Sequence, residues 1–158
     1  MKKHNIEEKE IFSLLTSKQV AEISEVANIK DFEVGQIIYD QKEEAKNLFI
    51  LLGGEVSLRI PSKKDMNIEN FSLEIEKINN HGELFGPNLL FGIKRYVTRS
   101  RVTKPTKVMI IDAKKFLDII RENKSEFVIM SYMAKVYFQR YINAMKEFEE
   151  CMAPDILI

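Results

Sequence analysis

Between Asp31 and Ile111 the apolar residues recur at every second position in short runs broken by glycine and polar turns, whereas on either side they recur at helical spacing. This change of period constrains the fold more than any other feature. Side chains alternate faces in a strand and return about every 3.6 residues in a helix, so the middle must be sheet and both flanks helix. In the middle, Ile37 and Tyr39 alternate with Gln36 and Ile38, and Leu48–Leu52 is an apolar run closed by Gly53-Gly54. Val56, Leu58 and Ile60 alternate with Ser57 and Arg59, and Phe71, Leu73 and Ile75 with Ser72, Glu74 and Glu76. A turn is expected at Asn79–Gly82, and strands at Tyr96–Thr103 and Lys107–Ile111 around a turn at Lys104–Thr106. Residues 6–27 read as helix, with a second start at Thr16, where Gln19 completes a capping box. Asp112 caps a helix through Ile120, and Ser125 caps a long one to about Cys151. About eight short strands between helices predict an α+β chain built on an antiparallel β-roll of the jelly-roll type. The roll covers about residues 28–112, with C-terminal helices over about 113–152.

With 158 residues, 45% hydrophobic and 30% charged, the chain makes one domain (1–158) with its own core. Its one cysteine, Cys151, gives no disulfide framework and suits a reducing compartment. No apolar run reaches the ~18 residues of a membrane span. The charged start MKKHNIEEKE has no signal-peptide core, so a cytoplasmic protein without membrane attachment is expected. The 24 basic and 24 acidic residues cancel, which argues against chain-wide affinity for nucleic acid. The basic residues do cluster locally, at Lys94, Arg95, Arg99, Arg101, Lys104, Lys107, Lys114 and Lys115. That strip reads either as a solvated strand face or as an anion-binding surface.

Catalytic patterns are missing. His81 sits in a turn and His4 near the terminus, without metal-ligand spacing to other His or Cys. Glu43-Glu44 and Glu149-Glu150 lie in charged stretches that would not tune an acid or base. The same Glu149 and Glu150 would raise the Cys151 thiol pKa. No enzyme is expected, and no metal site.

Three segments carry a family resemblance: Phe32-Glu-Val-Gly35-Gln-Ile-Ile-Tyr-Asp, Asn47-Leu-Phe-Ile-Leu-Leu-Gly53-Gly54-Glu55-Val56, and Gly82-Glu-Leu-Phe-Gly86. In this order and spacing the chain resembles the cyclic nucleotide-binding domain family over about residues 10 to 145. The resemblance implies a regulatory sensor roll with a phosphate-binding cassette just after Gly86. It makes Gly86, Pro87, Asn88, Leu89, Arg95, Tyr96, Val97 and Thr98 the candidate ligand-binding residues. In the family, a carboxylate follows the cassette glycine and an arginine follows nine residues later, gripping ribose and phosphate. Here those positions hold Pro87 and Tyr96. A second register, opening on Gly82-Glu83, brings Arg95 near the arginine's place but strands Gly86. Strand parity turns Tyr96, Thr98, Ser100 and Val102 into the roll, and Arg95, Arg99 and Arg101 away from it. The expected ligand is a nucleotide-like or other small anion, with ordinary cyclic AMP or cyclic GMP binding weakened.

On the last helix, Met130, Ala134, Tyr137, Tyr141, Ala144, Phe148 and Cys151 alternate steps of four and three, the spacing of a coiled-coil seam. A homodimer through these residues is expected. Only Met152–Ile158 follow, so sequence-specific DNA binding through a following helix-turn-helix is not expected. Two functions remain open: a small-ligand sensor that signals through the terminal helix, and a protein-interaction module with a filled roll. An open roll lined by Tyr96 and Thr98 favours the first, an apolar-filled one the second.

Overall fold

The computed structural model describes residues 11–61 and 72–152. A 3-10 turn at Ile11–Leu14 leads into α1 (Ser17–Val26), followed by β1 (Ala27–Phe32), β2 (Ile37–Tyr39), β3 (Asn47–Pro61), β4 (Ser72–Ile78) and β5 (Leu84–Phe85). A short 3-10 helix at Asn88–Phe91, then β6 (Arg99–Asp112), α2 (Ala113–Glu122) and α3 (Glu126–Met152) complete the order. All pairings are antiparallel, in the order β1-β6-β3-β4, with β2 also on β6 and β5 also on β3. The α+β roll expected from the change of period is the fold observed.

Where about eight strands are expected, six are found among the described residues, because two turn signals are bends inside longer strands. β3 runs through Gly53-Gly54, where its register with β6 shifts three times between Leu51 and Val56. β6 runs through Lys104-Pro105-Thr106. At the bend Gly54 has φ +93°, and a β-carbon there would collide with Pro105 and Thr106. Only glycine tolerates both that conformation and that approach.

Alternation sorts the side chains into two cores. On one face of β3 and β6, Leu48, Ile50 and Ile111 pack against Ile11, Ile23, Phe116, Ile120, Ile129 and Met133 of the helical layer. On the other face, Phe49, Leu51 and Val108 fill the roll with Tyr39, Val56, Ile78, Phe85, Tyr96 and Val102.

The Thr16–Gln19 capping box forms, with Gln19 N–H donating to the Thr16 hydroxyl at 3.2 Å and Thr16 N–H to Gln19 Oε1 at 2.9 Å. Of the helix expected over 6–27, residues 6–10 lie outside the described part, Ile11–Leu14 form a 3-10 turn, Ser17–Val26 form α1, and Ala27 already opens β1. Asp112 caps α2 by accepting from Lys115 N–H at 2.9 Å. Ser125 precedes α3 as expected, but its hydroxyl is held by Gln19 Nε2 at 2.8 Å, tying α1 to the start of the last helix.

Candidate ligand cassette and the helix that closes over it

The cassette begins where β5 ends. Gly86 has φ +69°, and a β-carbon there would lie 2.9 Å from the Phe49 ring and 3.0 Å from the Tyr39 ring. The glycine thus lets the backbone lie directly on the aromatic filling of the roll. Pro87 is buried and precedes the 3-10 helix, which starts at Asn88. Asn88 donates its side-chain amide to the Arg95 carbonyl at 3.3 Å, and Leu89 packs toward the helical core.

The cassette's exit is fixed by main chain. Tyr96 N–H donates to the Glu43 carbonyl at 3.0 Å, and Lys42 N–H to the Tyr96 carbonyl at 2.9 Å. This pairing sets which side chain faces in. Arg95 points outward, exposed, and donates to the Lys42 carbonyl at 2.6 Å. It therefore does not join the cassette as a replacement anchor. Val97 is also exposed, while Thr98 turns inward and meets the Tyr39 hydroxyl at 3.3 Å.

Tyr96 is buried inside the roll. Its ring stacks on Tyr39 at 4.1 Å between centroids, and Tyr39 stacks on Phe49 at 5.2 Å. Phe49 in turn stacks on Phe85 at 5.3 Å, so four rings form one continuous filling. The Tyr96 hydroxyl donates to the Asn47 carbonyl at 2.7 Å and accepts from Asn47 N–H at 3.2 Å. Burial pushes the Tyr96 phenol up to about 12, against the opposing pull of its hydrogen bond to the Asn47 backbone. A cavity of about 230 Å³ remains beside these rings, lined by Tyr39, Phe49, Tyr96 and Asn47 with Lys30 and Lys46. A larger open cleft, about 820 Å³, lies at the Gly53-Gly54 bend, away from the cassette.

The last helix closes over this region. Tyr137 packs on Phe91 at 6.2 Å between ring centroids. Arg140 lies over the Tyr137 ring at 5.0 Å and donates through Nη2 to the Leu84 carbonyl at 2.6 Å. Three residues on, Asn143 donates to Glu76 of β4 at 3.3 Å.

These contacts divide the residues of the expected seam. Tyr137 faces the cassette, and Met130 and Ala144 are half-buried. Ala134, Tyr141 and Phe148 are exposed, joined by Phe127, Phe138 and Met145, which the expected seam omitted. Cys151 lies in the last turn of α3, and its side chain falls outside the described residues. Arg140, which the sequence patterns above did not single out, continues the buried stripe Ile129–Met133 at helical spacing.

The basic strip is spread along β6 and onto the start of α2. Arg99 is paired with Asp40 at 2.8 Å and Lys104 with Glu55 at 3.3 Å. The others are exposed. Among the described residues no three His, Cys, Asp or Glu side chains converge as a metal site. No helix among them is long and apolar enough to cross a membrane.

The family model of the cyclic nucleotide-binding domain matches residues 29–123, more than half of the chain. The chain belongs to the cyclic nucleotide-binding domain family. A Geobacter metallireducens GS-15 protein to which cyclic nucleotide binding is attributed is 25% identical, with a TM-score of 0.68, over 83% of this chain and 91% of that one. The sensor domain of the transcriptional regulator DNR from Pseudomonas aeruginosa is 17% identical, with a TM-score of 0.69, covering 85% and 86%. Thermus thermophilus catabolite activator protein is 14% identical, with a TM-score of 0.69, covering 89% of this chain and 63% of that one. At those last identities the likeness is one of fold.

Proposed function

We propose that the protein is a non-catalytic regulatory module whose cassette is shut to ordinary cyclic nucleotides by its own Tyr96, and whose output surface is α3. The observation that carries this reading is the buried Tyr96 ring, hydrogen-bonded to Asn47 where the family pattern has its arginine. With Pro87 on the carboxylate position, two charge-assisted contacts are missing. Each contributes roughly 1.5–3 kcal/mol, so affinity falls about a hundredfold to ten-thousandfold. The ring filling leaves the roll closer to the interaction-module expectation than to the open-roll one. The test is titration calorimetry with cyclic AMP and cyclic GMP at physiological salt. A dissociation constant at or below the low micromolar range overturns the reading.

The partner proposed for α3 is a second copy of the chain, in the cytoplasm. Phe127, Ser131, Ala134, Phe138, Tyr141, Met145 and Phe148 follow alternating steps of four and three, a heptad seam displaced from the expected one. Phe138, Tyr141 and Phe148 are 64%, 59% and 50% exposed. Large aromatic side chains in one stripe call for a covering surface. A matching stripe from a two-fold related copy supplies it without demanding any other feature of the sequence.

A further inference from the structure

Arg140 is a buried charge whose hydrogen bonds are incomplete. It is 9% exposed, lies in the middle of α3 and faces the cassette. Nη2 donates to the Leu84 carbonyl, and the guanidinium rests on the Tyr137 ring. Nη1 is enclosed and has no hydrogen-bond partner. Among the described residues no carboxylate pairs with Arg140. More exposed arginines are better served: Arg59 meets Glu74 at 3.4 Å, Arg99 meets Asp40 at 2.8 Å and Arg121 meets Glu126 at 3.1 Å. Enclosing a guanidinium without a counter-ion is strongly unfavourable, and the usual remedy is an anion close enough to accept its free N–H groups.

The surroundings suit such an anion. The Tyr137 phenol lies under the guanidinium, and the Tyr39 and Thr98 hydroxyls meet each other inside the roll. The Arg140 charge is felt at the Tyr39 hydroxyl. Burial pushes both phenols up, so at neutral pH they are protonated and able to donate. The guanidinium and the Tyr137 phenol thus stand together beside the cassette.

We propose that Arg140 anchors an anion site between the cassette and α3, taking a single phosphate or carboxylate group of a small molecule. The grip then comes from the helix and not from the cassette strand, where Tyr96 stands. Because the same side chain holds α3 to the Leu84 carbonyl, an anion on Nη1 also sets how firmly the helix is seated. This site is independent of whether cyclic AMP or cyclic GMP enters the roll.

The test uses the full chain and inorganic phosphate or acetate as probes, titrated against potassium chloride at constant ionic strength. Thermal unfolding and, for phosphate, phosphorus NMR line broadening are the readouts. At least one probe should raise the melting temperature saturably where chloride does not. The probe that acts tells phosphate from carboxylate. Arg140→Met should weaken the response at least tenfold and raise the melting temperature without added anion. Arg101→Gln, an exposed arginine, should keep the response. Arg140→Lys, retaining charge without the fork, gives the same comparison if the methionine variant folds poorly. Equal behaviour in phosphate, acetate and chloride, or an unchanged response in Arg140→Met, overturns the proposal. Tight cyclic AMP binding with no phosphate or acetate effect would instead overturn the closed-cassette reading together with this one, whereas an anion effect without cyclic AMP binding supports both.

Discussion

Truncating Tyr96 to alanine is the most direct test of a roll filled by its own side chain. The variant removes a buried ring that stacks on Tyr39 at 4.1 Å and a hydroxyl that serves both the N–H and the carbonyl of Asn47. Truncating a buried aromatic typically costs about 3–5 kcal/mol. Asn47 also lines the existing cavity of about 230 Å³, so water can reach the groups that lose their partner. That places the loss near the lower end, about 3 kcal/mol. Tyr96→Phe keeps the stack and loses only the hydroxyl, about 1 kcal/mol. Urea unfolding at one fixed protein concentration measures both, since a dimer makes stability concentration-dependent. The space left by Tyr96→Ala has the shape of phenol, the part of the side chain that alanine lacks. At ten times its dissociation constant phenol should restore about 1.4 kcal/mol, while leaving the wild type unchanged. A loss below about 1 kcal/mol for Tyr96→Ala, or equal losses for both variants, would refute the reasoning, because the ring would then not be wedged in the roll.

Pro87→Glu combined with Tyr96→Arg should raise cyclic AMP affinity at least tenfold by calorimetry, at some expense of stability because both positions are buried. No gain, with the circular dichroism of a folded roll, means that the cavity itself has changed shape. Phe138→Glu or Tyr141→Glu should turn a dimer into a monomer by analytical ultracentrifugation, whereas the same substitution at exposed Lys135 should not. A wild type that is monomeric at tens of micromolar overturns the dimer. Alkaline unfolding should report the buried phenols. Both Tyr39 and Tyr96 are raised above the ordinary value of 10.0 by burial, so their neutral forms are the ones the fold favours. Their contribution is complete below that value and is lost as pH rises through about 12, the position of Tyr96. Tyr96→Phe should flatten that decline, and an unchanged slope would contradict it.

The alternation at Tyr96, Thr98, Ser100 and Val102 was sufficient to place Tyr96 inside and Arg95 outside, because a strand leaves only two faces to choose between. The strand count was not legible. Gly53-Gly54 and Lys104–Thr106 have turn composition, yet both serve as bends, and only the partner strand decides between a bend and a break. The seam of α3 shows a different limit. Two heptad registers share Ala134, Tyr141 and Phe148 and differ in Met130 against Ser131, Tyr137 against Phe138 and Ala144 against Met145. Periodicity does not choose between them. Within the chain, Tyr137 is turned inward onto the Phe91 ring and Arg140 onto the Leu84 carbonyl, which leaves Phe138 outside. Both groups are remote in sequence.

The place of β6 in the sheet has a consequence for synthesis. β1, β2 and β3 all take hydrogen bonds from β6, with Ala27 opposite Ile111 and Ile37 opposite Arg101. As the chain is made from its N-terminus, the first strands emerge with no partner for one edge. At about 5–20 residues per second, the wait from Ala27 to Ile111 is on the order of 4–17 s. Through that interval the apolar run Leu48–Leu51 stands open to pairing with other nascent chains. A ribosome-bound fragment ending before Arg99 should be the most aggregation-prone length, and adding residues through Asp112 should bring the roll together in one step.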